Sequence, residues 1–403
     1  MAMPAFAGTF DTIHPYVAFI ESYDANLLGL SNSTVAQEVL GSVNTGDRSH
    51  TEQVGISFDD TIGLQHFTGD VSEAKTSFER FTPLDHDAAN VQGNWNWYVG
   101  NHLYGNLGTS YAQSLAPFTY FHLLKLNMRS LRKENGDVTW LFHPSWAAVG
   151  ELTGSQLGYE LPAEQPFSRN EYHATGGIDY LASSGSTFGV RVGHIRGYFP
   201  FPQVVQAPVS PPTPEQPIPP VPGMIDVFNN YSQDEIKAKI DWLFSGKTHI
   251  QFLGGRVERK YEFLPAQDYR GFNGRAIAEW SPAGKLTFTI NTWHEIAAVD
   301  DLTTVYSTNH GISIAPAWVV SDLIRWDAKF KFEECDFAQS PTLSSAPTAG
   351  VTYLLHNASL TLTYSPTPHV QIQSMLYYQT QSTSNHANDF GGNGVMVSSR
   401  YQF

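Results

Sequence analysis

From Leu323 to Glu333 the side chains alternate without a break. Ile324, Trp326, Ala328, Phe330 and Phe332 fall on one side, and Arg325, Asp327, Lys329, Lys331 and Glu333 on the other. A period of two is the repeat of an extended strand, so this stretch forms a strand with one apolar and one charged face. Glu235 to Phe244 repeats the pattern, with Ile236, Ala238, Ile240 and Trp242 against Glu235, Lys237, Lys239 and Asp241. Val370, Ile372, Leu376 and Tyr378 likewise oppose Gln371, Gln373 and Gln379.

Such alternation fits any sheet with one wet face, and composition narrows the choice. Among 403 residues only 15% are charged and 13% are aromatic, with 33 glycines and 24 prolines. This is a strand-and-turn composition. No run of about 18 apolar residues is present, which excludes a helical membrane protein. The net charge of -15, from 23 basic and 38 acidic residues, excludes a nucleic-acid partner, because phosphate contacts need clustered Lys and Arg. One cysteine, Cys335, leaves no internal disulfide framework. Residues 1–46 contain no Lys or Arg, so the charged segment and apolar core of a signal peptide are missing from them; this leaves export open.

Candidate strands fall at 12–26, 47–62, 68–82, 89–99, 102–115, 118–133, 137–152, 169–182, 186–198, 231–245, 247–262, 270–281, 284–297, 309–320, 323–336, 351–365, 369–381 and 393–403. Short turns at 133–137, 182–186, 245–247, 281–284, 321–322 and 365–368 all follow even-numbered strands, and each carries Gly, Pro, Ser, Asn or Asp. Long connections at 153–168, 199–230, 298–308, 337–350 and 382–392 follow odd ones. An even strand count with short turns on one rim and long loops on the other predicts an all-β, antiparallel transmembrane barrel of about 18 strands. It spans residues 1–403 as one domain and lies in the bacterial outer membrane. The connection 199–230 holds ten of the prolines, so it is extended polyproline-like chain. The segment 199–223 is expected to be an extracellular loop that folds over or into the lumen, with Phe199, Phe201 and Ile218 as apolar contacts.

If the apolar face meets lipid, the other face lines the lumen. That phase puts Lys125, Arg129, Arg191, Lys237, Lys239, Arg275, Arg325, Lys329, Lys331 and Arg400 inside, against Glu171, Asp179, Glu235, Asp241, Glu279, Glu295, Asp327 and Glu333. Ten cations against eight acids leave the interior at +2 and the rest of the chain at -17. Asn94, Asn96 and Trp293 share the inward phase, where amides can bond hydroxyls and an indole can pack on a sugar face. Trp95, Trp97, Trp242 and Trp280 fall outward, as lipid-facing or interface residues.

Enzymatic chemistry needs converging groups, and none is visible. His294-Glu295 lacks the second His of a zinc-hydrolase helix. Asp85-His86-Asp87 and Asp300-Asp301 read as solvated loop carboxylates. No nucleophile motif, phosphate-cradling glycine loop, cofactor site or metal site is expected.

The chain ends on a strand whose Val395, Val397, Tyr401 and Phe403 share one face. A terminal aromatic on an alternating strand is similar to the signal read by the barrel-assembly machinery. Asp11 to Leu28, Arg80 to Asp85 (RFTPLD), Trp95 to Gly108, the pairs Pro144/Trp146 and Pro316/Trp318, and the terminal RYQF resemble the outer-membrane barrels encoded with exopolysaccharide operons, the EpsL type. The Pro-rich insert departs from that family's pattern. The resemblance implies a passive pore that exports a polysaccharide, with a periplasmic export protein as partner. Arg191, Lys237, Lys239, Arg275, Arg325, Lys329, Lys331, Arg400, Trp293, Asn94 and Asn96 would then touch the polymer. A general or small-solute porin is the first alternative, and a carbohydrate-active enzyme on a large sheet the second.

Overall fold

A computed structural model describes residues 12–118, 122–206, 224–263, 265, 268–298, 306–337, 351–386 and 388–403. Its strands are β1 Ile13–Asp24, β2 Asp47–Ile62, β3 Gln65–Phe78, β4 His86–Val99, β5 Leu103–Leu115, β6 Met128–His143, β7 Trp146–Tyr159, β8 Arg169–Leu181, β9 Thr187–Tyr198, β10 Gln203–Gln206, β11 Met224–Val227, β12 Tyr231–Ser245, β13 Thr248–Tyr261, β14 Tyr269–Ala283, β15 Leu286–Ala298, β16 Tyr306–Val319, β17 Ile324–Phe337, β18 Thr352–Thr367, β19 Val370–Thr383 and β20 Phe390–Gln402. Eighteen of them form one antiparallel sheet in chain order, and β10–β11 is a separate hairpin in the connection from β9 to β12. The sheet closes where β1 meets β20, from Tyr16 opposite Gln402 to Asp24 opposite Gly394. Closure leaves no free edge, as a bilayer demands.

The predicted strand count and turn parity hold, but one hairpin is displaced. Strands expected at 118–133 and 137–152 lie at Met128–His143 and Trp146–Tyr159, and the turn falls at Pro144-Ser145 instead of 133–137. The run Glu134-Asn135-Gly136-Asp137 has turn chemistry but sits inside the ladder. Asn135 donates to Asn106 Oδ1 at 3.0 Å, and a Cβ on Gly136 would lie 2.9 Å from the Leu107 side chain. Cross-strand partners override the local turn preference there. Lys125, expected inside, consequently lies in the connection 116–127 and on no strand.

The outer face carries exposed Val54, Leu152, Ile178, Val190, Ile236, Phe330 and Leu376. Eight of the nine tryptophans, all but Trp293, lie on this face within a few residues of the short turns, where they pair as Phe67–Trp95, Trp146–Tyr180, Trp242–Phe244 and Trp280–Phe288. Amphipathic rings at one height mark a membrane–water interface. About eight residues further along the strands, charged pairs take over the outer face: Glu21–His50, Arg132–Glu134, Asp234–His194 and Glu258–Arg270. Eight residues at ~3.3 Å per residue and ~40° tilt span ~20 Å, close to the apolar belt of an outer-membrane barrel.

The long-loop mouth is partly capped. Connection 25–46 carries helix α1, Ser33–Leu40, which starts at Asn32, whose Oδ1 accepts from the Thr34 and Val35 amides, and stops at Gly41 with φ 65°. Leu28, Leu30 and Ala36 of this segment pack with Phe78, Phe81 and Leu84. Asp47 binds the layer to the rim by accepting from the amides of Arg80 (3.1 Å) and Phe81 (2.7 Å). Asn26 donates to the carbonyls of Leu30 (2.9 Å) and Gly391 (3.0 Å), joining the cap to the last loop.

Candidate functional site: the barrel lumen

The lumen wall divides into two chemically distinct parts. On the ten strands β6–β9 and β12–β17 the inward face carries a set of ion pairs. Asp179 accepts from both Arg191 nitrogens at 2.5 and 2.7 Å and from Lys239 at 3.0 Å, so one carboxylate serves two cations. Glu235 holds Lys237 at 2.8 Å and lies 3.2 Å from His173. Arg275 makes a two-point contact with Glu295 at 2.7 and 3.1 Å, Lys331 meets Glu333 at 2.5 Å, and Arg325 meets Asp327 at 2.7 Å.

On the eight strands β18–β20 and β1–β5 the inward groups are mostly hydroxyls and amides. Ser22 meets Ser49 at 2.6 Å, Thr51 meets Thr76 at 2.8 Å, and Gln53 donates to Ser72 at 3.0 Å. Asn106 Nδ2 donates to both Asn94 (2.6 Å) and Asn96 (2.8 Å). Arg400 belongs to this wall, with its guanidinium 3.6 Å from the Tyr16 ring centre.

A cavity of about 1130 Å³ opens along the ionised wall. Arg191, Lys237, Lys239 and Arg275 converge on it, together with Glu171, Glu235, Asp241 and Glu295. An adjoining space of about 290 Å³ takes in Lys329, Lys331 and Trp293. Arg325 stands apart, near the short-turn rim, while Arg400, Asn94 and Asn96 lie on the other wall. Trp293 is on the expected side, yet it offers no broad face to a sugar. It is only 8% exposed, Arg275 and Lys331 lie 5.7 and 5.5 Å from its ring centre, and its Nε1 donates to Glu333 at 2.9 Å.

Four charged cavity residues escaped the sequence reading. Lys133 was hidden in the presumed turn. Arg169 is the first residue of its strand, and Glu151 neighbours a strand boundary placed too early. Arg259 lies in Arg256-Val257-Glu258-Arg259-Lys260, above the apolar belt, where both faces are charged and alternation vanishes. Arg259 is buried, donates to Gln233 Oε1 at 2.9 Å, and stacks 4.2 Å from the Tyr231 ring centre. Tyr231 in turn bonds Glu171. Residues 207–223 of the Pro-rich loop, Ile218 among them, lie outside the described residues. Phe199 is buried against Tyr231 and Tyr261, whereas Phe201 lines a shallow outer-surface cavity with Gln156 and Asn170.

Tyr401 and Phe403 are exposed on the lipid face at the closing strand, ring to ring at 5.0 Å. Among the described residues one group could offer metal ligands, His310, Glu334 and Asp336 on the outer face. All three members already have partners: His310 lies 3.1 Å from Glu334, and Asp336 accepts from Thr352 at 2.8 Å.

An apolar outer belt, an aromatic girdle and a polar interior on a closed sheet define a transmembrane β-barrel of the bacterial outer membrane, with the build of a channel. The sequence matches no protein-family model and no curated protein. Solved structures do resemble it. The outer-membrane protein OpdK of Pseudomonas aeruginosa is similar over 98% of this chain and 100% of its own, at 9% identity and a TM-score of 0.50. OccK2 (OpdF) of the same organism covers 98% of both chains at 8% identity, with a TM-score of 0.49. A mutant of the ferric enterobactin receptor PfeA, also from P. aeruginosa, covers 97% of this chain and 80% of its own at 6% identity and a TM-score of 0.46. The likeness to OpdK is one of fold.

Proposed function

We propose that the barrel is a passive channel for small hydrophilic solutes and favours anionic ones. The observation that carries this reading is the charge balance of the main cavity. Lys133, Arg169, Arg191, Lys237, Lys239, Arg259 and Arg275 line it against Glu151, Glu171, Glu235, Asp241 and Glu295, seven cations to five carboxylates. Their pairing keeps the wall hydrated and only mildly positive, so a solute meets several weak contacts and can leave again. Reversal potentials across planar bilayers in a potassium chloride gradient test the reading. Chloride should carry the larger share of the current, and a preference for potassium would overturn it.

Export of an exopolysaccharide, with a periplasmic partner, is the second reading. It is favoured by the hydroxyl and amide wall of β18–β20 and β1–β5, which suits the hydroxyls of an uncharged polymer. Deletion of the chromosomal copy separates the two readings. Polymer trapped in the envelope with synthesis intact supports export, whereas normal release combined with slower uptake of small anions supports the porin. The exposed Tyr401 and Phe403 fit a signal for the assembly machinery, and removing Phe403 should lower the yield of folded barrel.

A further inference from the structure

The outer face above the apolar belt is not uniform around the barrel. On β9 and β12–β14, backbone register sets three rows one above another. Val192, Ile236, Arg256 and Phe272 stand opposite one another in the first row, and His194, Asp234, Glu258 and Arg270 in the second. Arg196, Ser232 and Lys260 make the third. Val192, Ile236 and Phe272 are 59%, 54% and 48% exposed and face acyl chains. Arg256 sits in that same row and makes no ion pair among the described residues. Above it, Glu258 is shared by Arg270 at 2.7 Å and Lys260 at 3.2 Å, and Asp234 faces His194 at 2.7 Å.

This patch therefore has four permanent cations, Arg196, Arg256, Lys260 and Arg270, against two carboxylates, on a chain of net charge -15. The same height on β1–β4 is the reverse: Glu52 and Asp87 flank Lys75, with Glu73 and Glu21 in the rows on either side. A surplus of two positive charges directly above lipid-facing side chains matches a headgroup bearing phosphate, held by guanidinium forks at the point where its acyl chains enter the belt. The patch lies on the long-loop side, which is the outer leaflet in this class of barrel.

We infer that the outer surface of β9 and β12–β14 is a binding site for a phosphorylated glycolipid of the outer leaflet, with Arg256, Lys260 and Arg270 gripping its phosphates. Native mass spectrometry of the detergent-solubilised barrel, mixed with bis-phosphorylated lipid A or with the same lipid after phosphatase treatment, tests this. The wild type should retain the phosphorylated form at least tenfold better than the dephosphorylated one. Arg256→Gln/Lys260→Gln/Arg270→Gln should lose that preference while still migrating differently before and after boiling, the sign of a folded barrel. Arg256→Gln alone disturbs no ion pair and should lower retention severalfold, so the test survives a folding defect in the triple variant. Lys75→Gln on the acidic side should change nothing. Equal retention of the two lipid forms by the wild type, or wild-type retention by folded variants, would overturn the site.

Discussion

The two lumen walls solve one problem, keeping a polar surface hydrated inside a sheet, by different means. The ionised wall of β6–β9 and β12–β17 uses carboxylates shared between cations, such as Asp179 between Arg191 and Lys239. The wall of β18–β20 and β1–β5 uses neutral pairs such as Thr51–Thr76 and the Asn94/Asn96/Asn106 cluster. Removing one member of a charge pair leaves an uncompensated charge, whereas removing one member of a hydroxyl or amide pair leaves a group that water can satisfy. The ionised wall should therefore control selectivity and rim stability, and the neutral wall should tolerate change. Their mouths differ as well: the packed cap of 25–46, 79–85, 116–118 and 122–127 adjoins the neutral wall, and the β10–β11 hairpin lies in a connection between two strands of the ionised one.

The largest effect is expected at Arg259, the buried cation of the ionised wall. Arg259→Ala removes its bond to Gln233 and its stacking on Tyr231, and should cost about 2 kcal/mol in urea unfolding from lipid vesicles. Asn106→Ala on the neutral wall should cost clearly less, and equal costs would erase the contrast.

Next comes Arg191→Ala/Lys239→Ala, which leaves Asp179 without either cation. The chloride-to-potassium permeability ratio should fall by about tenfold, equivalent to ~1.4 kcal/mol. An unchanged reversal potential would show that this wall does not set selectivity.

A smaller effect belongs to the cap. His122 bonds the Leu28 carbonyl at 2.8 Å through Nδ1, and its Nε2 is buried with no partner among the described residues. Burial holds its pKa below the ordinary 6.5. The folded cap thus favours the neutral ring. Its stability is complete above about pH 6.5 and is lost as pH falls below that toward the depressed value, by at most ~1.4 kcal/mol per pH unit. Amide exchange in residues 25–46 should accelerate from pH 7 to pH 5, and His122→Phe should abolish the acceleration.

The smallest effect is expected from Asn94→Ala/Asn96→Ala. Ion selectivity should stay within about twofold of wild type, because no charge is lost and water replaces the amides. A larger change would assign the neutral wall a part in charge selection.

Much of this molecule was readable before any coordinates. Which side a strand residue faces depends only on the local pleat, so period two alone separates Arg191, Lys237, Lys239, Arg275, Lys329 and Lys331, which line the lumen cavities, from Trp95, Trp97, Trp242 and Trp280 on the opposite phase. Turn parity followed from the same pattern. Other features depend on partners distant in the chain. The displaced hairpin at 128–159 was decided by Asn106 and Leu107 on the neighbouring strand, and the sharing of Asp179 by a lysine 60 positions away. The burial of Trp293 on β15 required Arg275 of β14 to meet Lys331 and Glu333 of β17. Period two reports the face a side chain takes and carries no information on what stands opposite it. Register and closure supply that, and they alone separated a charged wall from a neutral one and a basic outer patch from an acidic one.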